Sequence, residues 1–218
     1  MQVSNRNNNV NFTSTPLHYV NLKNLAKDGG GGFVKAVLTR LDPNDKADLA
    51  ALKEAKKSWK LKHCVGDQFL TEFESQGMSF GFNAVELVSE EPLVKKIIGL
   101  VSTSIDDFDG ISLFSLNTLF TKPSFSKAMR SRKISGVGEI MLGEAIFNAK
   151  KSNSFDMSFN SSMSAVKFYK TTFEDAGIEL TSKKYNPQSC DFRLFPEDFD
   201  KYINHVQKKY NMDFSATI

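Results

Sequence analysis

Residues 132–151, with the sequence RKISGVGEIMLGEAIFNAKK, constrain the fold of this chain more than any other stretch. A basic pair precedes Gly136 and Gly138, and a helical pattern of apolar residues begins directly after these glycines. Several strand-like segments lie upstream, and the last of them ends at Thr121. The order predicts antiparallel strands that lead through a glycine loop into a core helix.

Hydrophobic periodicity predicts the remaining elements. Strands are expected at 33–41, 79–88, 95–105 and 111–121, and a helix at 42–60 is expected to be capped by Asp42, with Pro43 in its first turn. After the glycines and their helix come a strand at 155–160, a helix at 161–177, strands at 178–185 and 189–195, and a closing helix at 196–210. The closing helix carries an apolar stripe that predicts a core-facing side: Phe199, Tyr202, Ile203, Val206 and Tyr210.

The first residues of the chain differ in character from the rest. Residues 1–16 are rich in Asn and Ser without periodicity, and DGGGG at 28–32 is a flexible break. Residues 17–27 between them can form a short docked helix or strand. We therefore predict a flexible N-terminal segment at 1–32 and one compact domain at 33–218.

Composition excludes several classes of protein. Hydrophobic residues make up 40% of the 218 residues, so a core can form. The two cysteines, Cys64 and Cys190, form neither a disulfide framework nor a metal-ligand spacing, and they suit a reducing compartment. The sequence shows no signal peptide and no apolar run long enough for a bilayer, so we expect a soluble cytoplasmic protein without a membrane or metal partner.

The residues around the glycine pair are suited to binding a pyrophosphate. The start of a helix has unpaired N–H groups and a partial positive charge, and glycines let an anion approach the backbone closely. Lys133, Arg132 and Arg130 add positive charge upstream. The third glycine of a Rossmann fingerprint and the Lys-Ser/Thr pair of a Walker loop are missing. A glycine turn that only leads into a core helix stays an alternative at this point.

The segments LNTLFTKPSF, RKISGVGEIMLGEAI and NSSMSAVKFYKTTFEDAGIEL together resemble the GNAT acyltransferase superfamily. In that family a strand leads to a (Gln/Arg)-x-x-Gly-x-(Gly/Ala) loop and a helix, and a further strand leads to a helix with an Asn-x-x-Ala-x-x-(Leu/Phe)-Tyr pattern. Residues 133–138 fit the loop, and Ala165, Phe168 and Tyr169 fit the helix pattern. KKIIGLVS is similar to the family's third strand, and the resemblance covers about residues 33–195.

The resemblance implies an α+β fold with a mixed, mostly antiparallel central sheet that is flanked by helices. The sheet is expected to be splayed between its fourth and fifth strands, here 111–121 and 155–160. Acetyl-CoA is the implied acyl donor, with its pantetheine arm along the backbone of Leu119, Phe120 and Thr121. The other implied coenzyme-binding residues are Arg132, Lys133, Ile134, Ser135, Gly136, Val137, Gly138, Glu139, Asn160 and Ser162.

The implied reaction is acetyl transfer to an amine by direct attack on the thioester. Tyr169 matches the family tyrosine that lies near the sulfur as general acid, and its alternative is a core tyrosine beside Phe168. Glu86 is the candidate base, whereas a solvated strand residue is its alternative and a water chain can replace a side-chain base. Ser135 is expected to contribute its amide and hydroxyl to phosphate rather than to act as a nucleophile.

Departures from the family pattern support a second hypothesis, a catalytically inactive GNAT-like domain with a structural or partner-binding role. Lys133 replaces the usual Gln or Arg, Ser162 stands where Asn is usual, and residues 111–121 contain no carboxylate. A third hypothesis, nucleic-acid binding through KAMRSRK at 127–133, ranks last because the net charge is only +3. The acceptor stays open between a small molecule and a protein, and so does the possibility of a homo-oligomer.

Overall fold

One sheet of nine strands organises the residues that the computed structural model describes, which are 15–25, 32–59, 70–71, 73–74, 79–87, 96–122 and 134–215. Its order is β6-β1-β2-β3-β4-β5-β7-β9-β8. The ladder between β5 and β7 is parallel, and the other ladders are antiparallel. The strands are β1 (Thr15–Asn24), β2 (Phe33–Arg40), β3 (Ser79–Leu87), β4 (Lys96–Phe108), β5 (Ile111–Thr121), β6 (Ile134–Ser135), β7 (Asp156–Ser162), β8 (Thr181–Asn186) and β9 (Ser189–Leu194).

Helices cover both faces of this sheet. The structure has α1 (Lys46–Trp59), α2 (Val137–Lys151), α3 (Met163–Asp175) and α4 (Pro196–Tyr210). Neighbouring residues of a strand point to opposite faces, so Ala84 packs in a core with α1 whereas Val85 packs in a larger core with the other three helices. The predicted α+β class with a mixed, mostly antiparallel sheet and flanking helices is confirmed. None of the helices described here is both long and apolar enough to cross a membrane.

The connection from β5 through α2 to β7 accounts for the parallel ladder, since parallel strands need a crossover. In this ladder Leu113–Leu116 pair with Asp156–Phe159. The next residue of β5, Asn117, is the extra residue of a β-bulge in the ladder with β4. Beyond the bulge β5 continues to pair with β4, and β7 continues to pair with β9. This register is compatible with the predicted splay between β5 and β7. The splay itself stays a prediction.

Residues 15–24 correct the predicted extent of the flexible N-terminal segment. They form β1, which pairs with β2 along its length and with β6 on its other side. Val20 and Leu22 are buried in the larger core. The polar His18 is buried as well, and its Nε2 lies 3.4 Å from Glu144 Oε2 on α2. The alternation of buried residues and this ion pair explain why the segment joins the sheet.

The first and last described helices show how local chemistry sets helix ends. Helix α1 begins later than predicted, because Asp45 rather than Asp42 accepts the hydrogen bonds from the first free amides, those of Ala47 and Asp48. Asp42 instead accepts from the amide of Asn44 in the preceding turn. Helix α4 has the predicted bounds, and all five residues of its apolar stripe are buried.

Candidate functional site

A cleft of about 820 Å³ lies where the end of β5 meets the first turn of α2 and one side of α3. Leu119 and Thr121 contribute the β5 wall, and residues 135–139 contribute the loop and the start of α2. The α3 wall contains Phe168 and Tyr169. The structure therefore brings together part of the predicted site: Leu119, Thr121, residues 135–139 and Tyr169.

Both the backbone conformation and the side-chain packing at the N-terminus of α2 require a glycine at position 136. It occupies the N-cap position with φ 108° and ψ −16°. This is a left-handed conformation in which a residue with a side chain would be strained. A Cβ at this position would also collide with the ring of Tyr210. The space beside Gly136 is thus filled by the protein itself, which differs from the expectation that this glycine opens the cleft to an anion.

Gly138 is the glycine at which a side chain would point toward the cleft. A Cβ there would lie 3.1 Å from Cζ of Phe168 and 3.6 Å from Cγ2 of Thr121, both of which are cleft residues. The missing side chain therefore lets Phe168 and Thr121 lie close to the first turn of α2, and a larger side chain here would crowd the cleft between them. This position has an ordinary helical conformation, so its glycine is explained by space rather than by backbone geometry.

Tyr169 lies on α3 with only 7% of its surface exposed, and it lines the cleft. Its ring contacts the rings of Phe159, Phe168 and Phe192, so its position is fixed by packing. Burial raises the pKa of the Tyr169 phenol well above its ordinary value, because the phenolate loses hydration. The phenol is therefore protonated across the physiological pH range and can donate a hydrogen bond into the cleft.

Charged side chains from distant parts of the chain lie close together at the N-terminus of α2. Glu139 Oε2 accepts hydrogen bonds from Lys209 Nζ at 2.6 Å and from the Tyr210 hydroxyl at 2.9 Å. Lys209 Nζ lies 3.9 Å from Asp175 Oδ2, and Lys23 Nζ lies 5.9 Å from the centre of the Tyr210 ring. All five residues line the cleft. Glu139 belongs to the predicted coenzyme-binding residues, whereas the separation of the other four in sequence left no local pattern by which to predict them.

The side chains of several predicted coenzyme-binding residues do not line the cleft, and the predicted roles of these residues stay predictions. Ile134 is buried in the core, and Phe120 packs against the α1 core on the other face of the sheet. Ser162 is the N-cap of α3, where its hydroxyl contacts that of Ser164. The side chain of Asn160 donates to Asp191 Oδ1 outside the cleft. Arg132 and Lys133 lie outside the described residues.

Glu86 is buried rather than solvated, and it does not line the cleft. Only 4% of its surface is exposed, and its Oε1 accepts a hydrogen bond from the Thr39 hydroxyl at 3.0 Å. Because Val85 belongs to the core of α2, the side chain of Glu86 points to the opposite face of the sheet. The alternative of a solvated strand residue is therefore wrong, whereas the predicted role as base stays a prediction.

A second, polar groove of about 490 Å³ lies beside the end of the β5–β7 ladder. Ser158 lines it and alternates with Met157 and Phe159, which belong to the core on the α2 side. The groove therefore opens on the face of the sheet opposite the cleft. Its polar lining consists of Ser115, Asn117, Ser158, Asn160, Asp191 and Arg193.

The two charged groups of this groove are held in place by neighbours. Asp191 accepts from Asn160 across the β7–β9 ladder, where the two residues are paired. The exposed Arg193 guanidinium lies 3.6 Å from the buried carboxylate of Asp156. The groove thus offers both a carboxylate and a guanidinium to a polar molecule.

No family model matches this sequence, and no curated protein matches it significantly. Solved structures do match its fold. The ribosomal-protein-S18-alanine N-acetyltransferase of Escherichia coli matches with a TM-score of 0.50 and 14% identity, over 73% of this chain and 93% of that one. NAA60 of Arabidopsis thaliana, solved with a bisubstrate analogue, matches with a TM-score of 0.51 and 12% identity, over 72% of this chain and 97% of that one.

A third structure, the nucleotide-linked sugar GNAT FdhC in its apo form, matches with a TM-score of 0.51 and 10% identity. That alignment covers 80% of this chain and 93% of the FdhC chain. At these identities the likeness is one of fold. The chain has a GNAT-like fold, as its sequence motifs predicted.

Proposed function

We propose that this protein is an acetyl-CoA-dependent N-acetyltransferase. The observation that carries the proposal is the single cleft in which the first turn of α2, the end of β5 and the Tyr169 phenol meet. The GNAT-like fold supports the proposal, as does the position of Tyr169 and the glycine loop on the same cleft. The acceptor is an amine, and the product is its acetamide.

The cleft residues fit the coenzyme. The first turn of α2 lines the cleft, and the first N–H groups of a helix lack intrahelical partners and favour bound anions. Lys23 and Lys209 bring positive charge to the same place. Gly138 keeps a side chain out of the cleft beside Phe168 and Thr121, where the pantetheine arm is proposed to lie. In this arrangement the phosphates bind beside α2 and the thioester lies toward Tyr169.

Tyr169 is proposed to stabilise the leaving thiolate. The amine nitrogen attacks the thioester carbonyl, the C–S bond breaks, and the sulfur needs a proton or a hydrogen bond. The raised pKa of Tyr169 makes the phenol a weaker acid than a thiol, whose ordinary pKa is about 8.5. Tyr169 therefore acts mainly as a hydrogen-bond donor to the sulfur, and solvent completes the protonation.

The acceptor is proposed to enter from the polar groove on the other face. The groove and the cleft flank the point where the β5–β7 ladder ends at Leu116 and Phe159. An amine in the groove can thus approach a thioester held in the cleft through the gap beyond the ladder. Asp191 is the carboxylate of the groove lining and is suited to receive the proton that the amine loses. Glu86 stays the second candidate for this role.

Isothermal titration of acetyl-CoA into the wild-type protein and Gly138→Val tests the binding step. We expect binding by the wild type and a large loss in Gly138→Val, because its side chain would occupy the cleft beside Phe168. Mass spectrometry of amine panels incubated with acetyl-CoA then tests transfer. Binding without transfer to any amine would favour the inactive, partner-binding alternative, and absence of binding would reject the proposed function.

A further inference from the structure

Side chains of opposite charge lie close together at the N-terminus of α2. Lys209 contacts Glu139 at 2.6 Å and lies 3.9 Å from Asp175, and the Tyr210 hydroxyl donates to the same Glu139 oxygen. Lys209 and Glu139 are partly exposed, with 23% and 13% of their side-chain surfaces accessible. Both therefore face the cleft from a position where a ligand can reach them.

A pyrophosphate cannot enter this group without changing its contacts. The two carboxylates would repel it at close range, since like charges within a few ångströms cost free energy even when partly hydrated. The Lys209 ammonium has three N–H donors and a flexible stem, so it can turn from a carboxylate to a phosphate oxygen. Lys23 approaches the Tyr210 ring from β1 and adds a second cation beside the same opening.

We propose that Lys209 and Lys23 bind the coenzyme's pyrophosphate, and that Glu139 is a built-in competitor which holds Lys209 until the ligand replaces it. The inference rests on the proposed function and adds to it two cationic ligands that come from α4 and β1. Glu139 weakens coenzyme binding, because Lys209 must leave a carboxylate in order to reach a phosphate. The closing helix thus completes the site from the far end of the chain.

Calorimetric titrations at low and high salt, with acetyl-CoA, ADP and S-acetylpantetheine, test this exchange. ADP carries the pyrophosphate without the pantetheine arm, and S-acetylpantetheine carries the thioester without phosphates. The variants are Lys209→Gln, Lys209→Arg, Lys23→Gln and Glu139→Gln. The matched control is Lys208→Gln, because Lys208 is the exposed neighbour on α4 and does not line the cleft. Thermal unfolding of each variant checks that it is folded.

The exchange predicts opposite effects of the two charge removals. Lys209→Gln should weaken acetyl-CoA and ADP by about tenfold, as expected for one charge-assisted hydrogen bond, and should flatten their salt dependence. Lys209→Arg should bind both ligands nearly as tightly as the wild type. Lys23→Gln should weaken binding less than Lys209→Gln does. Glu139→Gln should tighten both ligands several-fold. The affinity for S-acetylpantetheine should be the same in all the variants. Lys208→Gln should bind all three ligands as the wild type does.

The outcomes separate this inference from the proposed function. Unchanged acetyl-CoA binding in Lys209→Gln, or weaker binding in Glu139→Gln, would overturn the exchange while leaving the acetyltransferase proposal intact. The expected variant pattern with ADP, in a wild type that does not bind acetyl-CoA, would support the phosphate site and reject the acetyltransferase. A wild type that binds neither nucleotide would overturn both.

Discussion

The ring of Tyr210 occupies the space where a side chain at Gly136 would begin. This contact joins the C-terminal helix α4 to the glycine loop at the start of α2. Tyr210 is buried, and its hydroxyl donates to Glu139 three residues after Gly136. The first glycine of the pair therefore serves the fold, whereas the second serves the cleft.

Gly136→Ala and Gly138→Ala are expected to separate stability from binding. Gly136→Ala should lower the free energy of unfolding by about 2 kcal/mol or more, from the positive φ and the collision with Tyr210. Gly138→Ala should cost less stability than Gly136→Ala, because alanine's helix preference of about 1 kcal/mol over glycine offsets the crowding of its Cβ against Phe168. It should nevertheless weaken acetyl-CoA binding, because the cleft narrows at Phe168. Urea unfolding and titration measure both, and equal stability losses would contradict the division of roles.

Tyr169→Phe is expected to lower kcat while leaving the dissociation constant of acetyl-CoA nearly unchanged. Removing one donor to a developing anion costs on the order of 10²-fold in rate. Tyr202→Phe is the matched control, because Tyr202 is a buried tyrosine that does not line the cleft. Steady-state kinetics and titration provide the test. A wild-type-like kcat in Tyr169→Phe would leave only the packing role.

The pH profile offers an independent check on Tyr169. Because burial raises its pKa, the phenol stays protonated above the ordinary tyrosine value of about 10. The kcat of the wild type should therefore show no loss from Tyr169 between neutral pH and that value. A decline with an apparent pKa near 9 that disappears in Tyr169→Phe would show that this phenol ionises earlier than its burial implies.

Alkaline stability should depend on the buried Tyr202. Burial, and next the Glu139 carboxylate, raise the pKa of Tyr202 in the folded state. Above about pH 10 the unfolded chain therefore loses this proton before the folded chain does, and stability falls as pH rises. The free energy of unfolding, measured by urea at neutral and alkaline pH, should fall less in Tyr202→Phe than in the wild type. An identical decline in both would contradict this assignment.

The His18–Glu144 pair is expected to be essential for docking β1. The two side chains are 6% and 3% exposed, and Glu144 Oε1 also accepts from Asn148 at 3.0 Å. Removing one partner of this buried pair leaves a polar group of the other without its neighbour, which costs about 1–3 kcal/mol. Each of His18→Leu and Glu144→Leu should show such a loss, and the double variant should lose less than their sum. Strict additivity in a denaturant double-mutant cycle would show that the pair is not coupled.

The base is expected to lie in the groove rather than at Glu86. Asp191→Asn should reduce kcat/KM, with little effect on acetyl-CoA binding. Glu86→Gln should mainly reduce stability, because the buried carboxylate accepts from Thr39. Kinetics and unfolding of both variants decide the assignment. The reverse pattern, with activity lost only in Glu86→Gln, would restore Glu86 as the base.

The unit from β5 to α3 could be predicted from the sequence because its signals are local. Alternation in 111–121, the glycine pair and the apolar face of the following helix each depend on neighbours a few positions apart. The same holds for the stripe of α4, whose predicted residues are all buried. The resemblance of the motifs in this region to the GNAT family also implied the fold and a position of Tyr169 near the thioester sulfur.

The composition of the site depended on contacts that no local pattern encodes. Lys23 and Lys209 come from β1 and α4, and a loop resemblance cannot indicate which distant lysine reaches it. The sequence gives no sign of which face of the sheet Glu86 lies on. Only the position of its neighbour Val85 in the core beside α2 shows that Glu86 points away from the cleft. Strand pairing with β2 and β6 likewise decided that residues 15–24 belong to the sheet. Periodicity fixes which face of an element is apolar, but burial and charge pairing are settled by what the rest of the chain places against that face.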